Sequence, residues 1–321
     1  MKLSLVLPPT PDHRWDLAKQ IGVDHAVYHS LEIGDGTCPS AYDDLLPLIN
    51  RYRDNGIEPA VFEGSVPISD TTRLGLEGRD EEIDEFCTFL RNLGELGVET
   101  VCYDWMAGLR WARTSLTTPS RGGSLTTSYD DDHMRRGPTP AAAKTTSSED
   151  LWESLTYFLE RVVPVAEEAD VKLGLHPDDP PREEVRGMPR IVNSVEAYDR
   201  VLEIVDSPYN GVTFCQGNFA AMGVDIPETI RHFGDSIQFV HYRDVDGDVD
   251  GFVETWHDDG PTDMLAAMRA YREVGFDGAI RPDHVPTMAG EDNSIPGYHI
   301  NGKLFAIGYM KGLLEQVDAD D

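Results

Sequence analysis

Cationic side chains are scarce in this chain. Its 321 residues include 27 Lys or Arg against 58 Asp or Glu, and only six of the basic residues are lysines, so the formal net charge is −31. A surface of this charge repels nucleic acid and anionic lipid, and we expect neither as a partner. We interpret the excess of carboxylates as adaptation to high salt, where screening weakens their mutual repulsion. An ordinary acidic surface is the alternative.

Long apolar runs are also missing. No segment approaches the roughly 20 apolar residues that cross a bilayer, and residues 1–9 lack the apolar core and cleavage site of a signal peptide. We therefore expect a cytoplasmic protein with no membrane partner. Hydrophobic residues still make up 40% of the chain and aromatic residues 9%, which argues against acidic disorder and provides the core of one large domain.

Cysteines are few and widely spaced. Cys38, Cys87, Cys102 and Cys215 form no CxxC pair, which excludes a zinc knuckle and a disulfide framework. Three of them are predicted to pack as small apolar side chains. Cys215 differs because it ends a predicted strand.

Short β-rich segments alternate with amphipathic helical segments along the chain. The predicted strands, apolar on both faces as in a buried parallel sheet, are residues 2–7, 24–29, 58–63, 99–104, 171–176, 211–215, 237–243 and 278–283. The predicted helices lie near residues 12–20, 40–54, 79–96, 148–168, 194–205, 226–233, 261–274 and 299–316. Several helices are predicted to end at a glycine just before the next strand, at Gly22, Gly56, Gly97 and Gly275.

Eight strands, each followed by a helix, predict one α/β domain over residues 1–321, a (β/α)8 TIM barrel. A doubly wound open sheet is the competing fold. It would bring a glycine-rich phosphate loop after the first strand, whereas this strand runs into Pro8-Pro9-Thr10-Pro11.

Residues 105–147 interrupt the alternation. They follow the fourth strand and are rich in Gly, Ser, Thr, Arg and Pro, without a clear helix. A loop this long in a compact domain is usually functional or disordered, and its tryptophans and arginines argue against a passive linker. We predict that it forms a lid or an oligomer contact over the barrel mouth, and we expect a homo-oligomer.

Four coordinating side chains recur at one topological position. His176, Cys215, His241 and Asp283 lie at or beside the last residues of strands five to eight, and the carboxyl ends of barrel strands converge where active sites form. Each residue alone has an ordinary structural explanation, but together they predict a metal site. Thiolate and imidazole favour Zn²⁺ or Fe²⁺, and carboxylate suits Mn²⁺. A site with open positions would be catalytic.

Six motifs then resemble one enzyme family over essentially the whole chain. They are VCYDWMAGLRWART (101–114), LHPDDPP (175–181), GVTFCQGN (211–218), VHYRDV (240–245), RPDH (281–284) and PGYHINGKLFAIGYMKGLLE (296–315). Together they resemble mannonate dehydratases, barrels of the xylose-isomerase-like kind that convert D-mannonate to 2-dehydro-3-deoxy-D-gluconate. The segments 104–107, 254–264 and 285–291 depart from the pattern, which leaves the sugar-acid substrate open.

The resemblance implies the following site. Metal ligation falls to His176, Cys215, His241 and Asp283, with Mn²⁺ as the first choice and Fe²⁺, Co²⁺ or Zn²⁺ as alternatives. Acid–base roles fall to His284, beside the last ligand, and to Tyr298 of the PGY motif.

A sugar acid as substrate also requires cationic partners for its carboxylate. A guanidinium fork matches that geometry, and we predict Arg110, Arg113 and Arg243 as substrate-binding residues. The resemblance places His257 near the mouth of the site without fixing its role, and we include it among the substrate-binding candidates. The ordinary structural explanation of residues 257–260 is that they form a loop before the next helix and cap its start.

Two other functions remain open at this stage. A metal-dependent sugar isomerase or epimerase would use the same barrel and similar ligands without losing water, and product analysis separates it from a dehydratase. A sugar-acid-binding protein without catalysis is the third reading, and tight binding without turnover would support it.

Overall fold

Parallel strands form the centre of the molecule. The computed structural model describes residues 1–29, 38–64 and 66–320. In chain order its strands are β1 (Lys2–Val6), β2 (His25–His29), β3 (Glu58–Glu63), β4 (Thr100–Asp104), β5 (Ser115–Pro119), β6 (Leu125–Asp130), β7 (Lys172–His176), β8 (Glu184–Val185), β9 (Met188–Pro189), β10 (Asn210–Cys215), β11 (Ile237–Tyr242), β12 (Val245–Asp248), β13 (Gly251–Glu254) and β14 (Ala279–Pro282).

Eight of these strands close into a barrel. Their order around it is β1, β2, β3, β4, β7, β10, β11 and β14, and β14 pairs with β1 in parallel to complete the ring. Each barrel strand coincides with a predicted strand to within a few residues. The predicted (β/α)8 barrel is therefore confirmed, and the doubly wound sheet is excluded.

Helices surround the barrel. They are α1 (His13–Gln20), α2 (Tyr42–Asp54), α3 (Asp70–Arg73), α4 (Arg79–Glu95), α5 (Asp131–Met134), α6 (Ser148–Ala169), α7 (Val195–Ile204), α8 (Gln216–Ala221), α9 (Ile226–Phe233), α10 (Met264–Glu273) and α11 (Ile300–Asp320). Short 3-10 turns lie at Arg121–Gly123, Ala142–Lys144 and Gly234–Ser236. Within the described residues no helix combines the length and the apolar character needed to span a membrane.

Local sequence explains where these helices begin and end. Ser147 and Asp150 form a reciprocal capping box at the start of α6, which satisfies backbone donors that the first turn would otherwise leave unpaired. The four glycines predicted to end helices, Gly22, Gly56, Gly97 and Gly275, all have φ between 72° and 74°. This left-handed conformation terminates a helix at little cost only for glycine.

The segment predicted as a lid or oligomer contact forms regular structure instead of an open loop. Its strands β5 and β6 join β12 and β13 in an antiparallel sheet of order β12-β13-β6-β5. Leu125 also makes an antiparallel bridge to Thr287, in the loop after β14. We call this four-stranded sheet the accessory sheet. It ties residues 115–130 to the loops that follow the last two barrel strands.

Helices α4 and α6 approach each other closely at one glycine. A Cβ added at Gly94 would lie 2.1 Å from the carbonyl oxygen of Ala169. We predict that Gly94→Ala lowers the free energy of unfolding by about 1–3 kcal/mol, because the overpacked helices must separate. Urea unfolding of the purified variant measures the change.

Gly312→Ala is the matched control. Gly312 lies on the exposed side of α11, and a Cβ there would meet no described atom within 4 Å. This change should raise the free energy of unfolding by about 0.5–1 kcal/mol, since alanine favours the helix. Equal effects from both variants would contradict the close approach at Gly94.

Candidate active site

A cavity of about 400 Å³ opens at the carboxyl ends of the barrel strands. Its lining includes polar side chains from six strand ends: His29, Glu63, Asp104, His176, His241 and Asp283. Because parallel strands of a barrel end on one rim, residues far apart in sequence meet here. The cavity is within the size range of small-molecule sites.

The four predicted ligands come together at this cavity: His176, His241 and Asp283 line it, and the buried Cys215 adjoins them. The donor atoms of His176, Cys215 and His241 all lie within 4.8 Å of one another. Asp283 joins them, with its Oδ2 atom 4.0 Å from Cys215 Sγ and 3.7 Å from His241 Nδ1. Two imidazoles, a thiol and a carboxylate from neighbouring strands therefore face one point.

The hydrogen bonding of the two histidines fits a bound cation. His176 Nδ1 lies 2.6 Å from the Pro177 carbonyl oxygen, which only accepts, so Nδ1 carries the proton and Nε2 keeps its lone pair. His241 is buried, yet neither ring nitrogen makes a hydrogen bond. Its Nε2 is 3.1 Å from Glu63 Oε1 in ion-pair contact only, without hydrogen-bond geometry. Unpaired buried nitrogens are costly, and this donor set suits a borderline divalent ion.

Buried arginines keep the nearby carboxylates ionised. Arg281 donates to both Glu63 and Asp283, with nitrogen–oxygen distances of 2.7 Å to each. Burial alone would raise the pKa of both carboxyls, but Arg281 and the neighbouring cationic groups together outweigh it and hold the pKa of each well below its usual range. Asp283 thus faces the cluster as a carboxylate, the form that binds a cation.

His284 and Tyr298, the predicted acid–base pair, lie against this cluster. Their ring centroids are 5.5 Å apart, both line the cavity, and the Tyr298 hydroxyl donates to Asp283 Oδ1 at 3.3 Å. Burial raises the pKa of Tyr298 well above its ordinary value, so the phenol holds its proton. His284 has a left-handed φ of 36°, a conformation that costs a non-glycine residue about 1–3 kcal/mol and is typical of functional sites.

Of the predicted substrate-binding arginines, only Arg110 lines the cavity. It pairs with Asp104 and remains partly exposed. Arg113 and Arg243 lie behind the wall, fully buried, where both contact Asp179 and Glu254. Arg243 also donates to Asn218 Oδ1 and Cys215 Sγ, and neither arginine lines the cavity. The prediction of direct substrate contact therefore needs correction for these two.

His257 is also displaced from its predicted position. It is buried outside the cavity lining, with Nε2 2.7 Å from the Tyr242 carbonyl oxygen. Burial lowers the pKa of His257 to about 4, so the imidazole is neutral near pH 7. This histidine supports the end of β11 and does not face the cavity.

Several cavity residues escaped the sequence analysis. His29, Glu63 and Asp104 are the last residues of β2, β3 and β4, so the strand-end rule that found the ligands in the second half would have found them too. Arg281 lies inside the RPDH motif, and Trp111 inside the motif that follows β4. Glu254, which does not line the cavity but bonds to His284, carried no such signal, because it comes from the accessory sheet.

Comparison with known proteins identifies the family. The family model of D-mannonate dehydratase (UxuA) matches residues 18–142 and 138–321 of this chain. The chain belongs to the mannonate dehydratase family.

Individual mannonate dehydratases are similar to this chain over most of their length. The mannonate dehydratase of Oceanobacillus iheyensis is 35% identical over 305 residues, covering 87% of this chain and 86% of the relative. Mannonate dehydratase 2 of Halalkalibacterium halodurans is 34% identical, covering 97% of each. The crystal structure of mannonate dehydratase from Streptococcus suis superposes with a TM-score of 0.91 at 31% identity, covering 99% of this chain and 93% of that one.

More distant structures share the barrel. A xylose isomerase domain protein from Planctomyces limnophilus has a TM-score of 0.61 at 13% identity, covering 99% of this chain and 98% of that one. At this identity the likeness shows the fold alone. It confirms the expected xylose-isomerase-like architecture.

The donor cluster generates a direct prediction about metal binding. We expect one Mn²⁺ per chain, and we expect Cys215→Ala to weaken the affinity more than about 100-fold, because removing a ligand should cost more than removing a residue that supports one. Isothermal titration of metal-stripped protein with Mn²⁺ measures this.

Cys87→Ala is the control, since Cys87 is a buried cysteine on α4, away from the cavity. If Cys215→Ala binds Mn²⁺ as tightly as wild type, or if both variants lose affinity equally, the Cys215 thiol is not a metal ligand.

Proposed function

We propose that this chain dehydrates D-mannonate to 2-dehydro-3-deoxy-D-gluconate with a divalent ion, Mn²⁺ as first choice, held by His176, Cys215, His241 and Asp283. The observation that carries the proposal is the convergence of these four donors beside an imidazole and a phenol at one cavity floor. The family relatives named as mannonate dehydratases support the same reaction.

The reaction removes a proton from C2 and the hydroxyl group from C3. The resulting enol then takes up a proton at C3 to give the 2-keto acid, so the net change is the loss of one water molecule. When bound, the cation supplies Lewis acidity that offsets the charge developing on the substrate carboxylate. The protein must provide a base for the C2 proton and an acid for the departing hydroxyl.

His284 and Tyr298 are the residues that we propose for these two proton transfers. Both line the cavity and both lie beside Asp283, on one side of the donor cluster. An imidazole accepts a proton through a free ring nitrogen, and a phenol whose pKa is raised stays protonated and can donate one. Either group is worth about 10²–10⁴-fold in rate when it is correctly placed.

The mouth of the cavity offers contacts for the rest of a sugar acid. Arg110 is partly exposed there and can pair with a carboxylate. Trp111, 38% exposed, lies with its ring 5.3 Å from that of His284 and gives an apolar surface for the carbon chain. We propose that this part of residues 105–147 encloses the substrate.

An oligomer contact is proposed for the accessory sheet, to which strands β5 and β6 of this segment belong. Leu116 on β5 and Val253 on β13 are apolar side chains exposed on the accessory sheet, at 43% and 37%. Their exposure supports the expected homo-oligomer.

The dehydration predicts a defined product. Metal-loaded protein incubated with D-mannonate should release a keto-deoxy acid whose mass is lower by one water, and chelation should abolish turnover until Mn²⁺ is restored. Mass spectrometry of the product separates this reaction from isomerisation or epimerisation, which conserves mass. A product of unchanged mass would favour those alternatives, and tight binding without turnover would favour a binding protein.

A pair of tyrosine variants tests whether turnover takes place in this cavity. Tyr298→Phe removes only the hydroxyl and should lower kcat at least about 100-fold. Tyr309→Phe on α11, outside the cavity lining, should leave kcat unchanged. Full activity in Tyr298→Phe would show that the Tyr298 hydroxyl takes no part in the reaction.

We also propose that the acidic surface is an adaptation to high salt. The support is the net charge of −31 with only six lysines. Repulsion among exposed carboxylates destabilises the folded chain when salt is low, and salt screens it.

The urea midpoint of unfolding should therefore rise steadily with KCl up to about 1 M, where the screening length falls to about 3 Å. Sucrose is the control, because it stabilises by exclusion without screening charge. If KCl raises the midpoint no more than sucrose does, the surface is an ordinary acidic one.

A further inference from the structure

The His284 imidazole has a carboxylate partner that comes from outside the barrel. Glu254, the last residue of β13, places Oε1 2.9 Å from His284 Nδ1. Both side chains are at most 5% exposed. The contact therefore lies behind the cavity, away from solvent.

Glu254 is itself held on several sides. Arg243 Nη1 donates to both of its oxygens, at 2.8 and 2.7 Å, and Arg113 Nη2 donates to Oε1. The Thr126 hydroxyl donates to the Glu254 backbone carbonyl at 3.1 Å. Because its carboxylate is immobilised in this way, Glu254 can orient a partner as well as bind it.

The imidazole ring is confined from another direction. A Cβ added at Gly297 would lie 3.2 Å from His284 Cδ2, so the ring packs against the bare glycine backbone. The Val285 amide bonds to the Gly297 carbonyl at 2.9 Å and holds the two segments together. The ring plane is therefore set before any substrate enters.

We propose that Glu254 is a positioning residue for the dehydration: it keeps the His284 proton on Nδ1 and so presents the lone pair of Nε2 to the substrate. A ring nitrogen bonded to a carboxylate must be the donor, and a neutral imidazole has one donor and one acceptor nitrogen. The inference rests on the proposed function, since it assigns His284 a proton transfer.

One other neighbour competes for Nδ1. Arg113 Nη2 lies 3.5 Å away and could donate to an unprotonated Nδ1. The carboxylate is 0.6 Å nearer and is the only acceptor that the described residues bring within hydrogen-bond distance of this nitrogen. The geometry therefore favours a proton on Nδ1.

The accessory sheet acquires a role from this contact. Val253, beside Glu254, pairs with Ser128 of β6, and Thr126 of β6 fixes the Glu254 backbone. Arg113, from the segment between β4 and β5, holds the Glu254 carboxylate. Residues 105–147 thus build the support that carries Glu254 to His284.

Two substitutions separate contact from charge. Glu254→Asp keeps the negative charge but retracts the carboxylate by one methylene group, out of reach of His284. Glu254→Gln removes the charge but keeps an acceptor of the same reach. Its amide oxygen should occupy the place of Oε1, which receives three donors, while Oε2 receives one.

If Glu254 acts by position, Glu254→Asp should lower kcat about 10–100-fold, the usual effect of losing an orienting partner. Glu254→Gln should retain more activity than Glu254→Asp, and KM and Mn²⁺ content should stay near wild type in both. Asp246→Asn, an exposed carboxylate on the neighbouring strand β12, should leave kcat unchanged. Wild-type kcat in Glu254→Asp, or a Gln variant no more active than the Asp variant, would overturn the proposal.

A measurement on the wild-type chain keeps the proposal testable if the variants do not fold. In ¹⁵N-histidine-labelled protein containing diamagnetic Zn²⁺, long-range ¹H–¹⁵N correlation identifies which ring nitrogen carries the proton, and His284→Gln assigns the signal. We expect a protonated Nδ1. An unprotonated Nδ1, accepting from Arg113, would overturn the inference.

Failure of the proposed reaction and failure of the Glu254 role give different results. If wild-type protein does not convert mannonate, the proposed reaction fails, whatever the tautomer. If it converts mannonate while His284 carries no proton on Nδ1, the reaction stands and the role of Glu254 falls.

Discussion

Arginines and carboxylates buried beneath the cavity pair with one another, and the arrangement of the site depends on this pairing. Arg281 joins Glu63 to Asp283, and Arg243 joins Asp283 to Glu254 and Asp179. Removing one partner of such a pair leaves an uncompensated buried charge, which typically costs 3–5 kcal/mol. Asp283 lies between two arginines, so its carboxylate is fixed in place beside the cysteine and the two histidines.

The same network separates two kinds of side chain. The imidazoles of His176 and His241 line the cavity, whereas Cys215 and Asp283 also contact Arg243, whose Nε lies 3.3 Å from Sγ and 3.0 Å from Oδ2. Arg113 and Arg243 lie behind the cavity lining, where both bind Asp179 and Glu254. The two imidazoles, Asp283 and Arg281 thus line the cavity, while the charges of Arg113 and Arg243 lie behind that lining.

Sequence reasoning located the barrel accurately because each strand is a short apolar run between helix signals. The four donors followed from topology, since parallel strands bring their carboxyl ends together. The accessory sheet was missed for the opposite reason: β5 and β6 are rich in Ser and Thr, and β6 joins the sheet by pairing with β13, more than a hundred residues away. Arg113 and Arg243 were predicted to bind substrate because a sequence does not reveal which protein carboxylate a guanidinium group will pair with.

The central claim is that one cation binds to two imidazoles, a thiolate and a carboxylate from neighbouring strands. Anomalous diffraction from crystals grown with Mn²⁺ tests it directly. The account predicts one anomalous peak at the cavity floor, bonded to His176, Cys215, His241 and Asp283 at about 2.0–2.4 Å. A peak elsewhere, or one that leaves Cys215 or Asp283 unbonded, would contradict it.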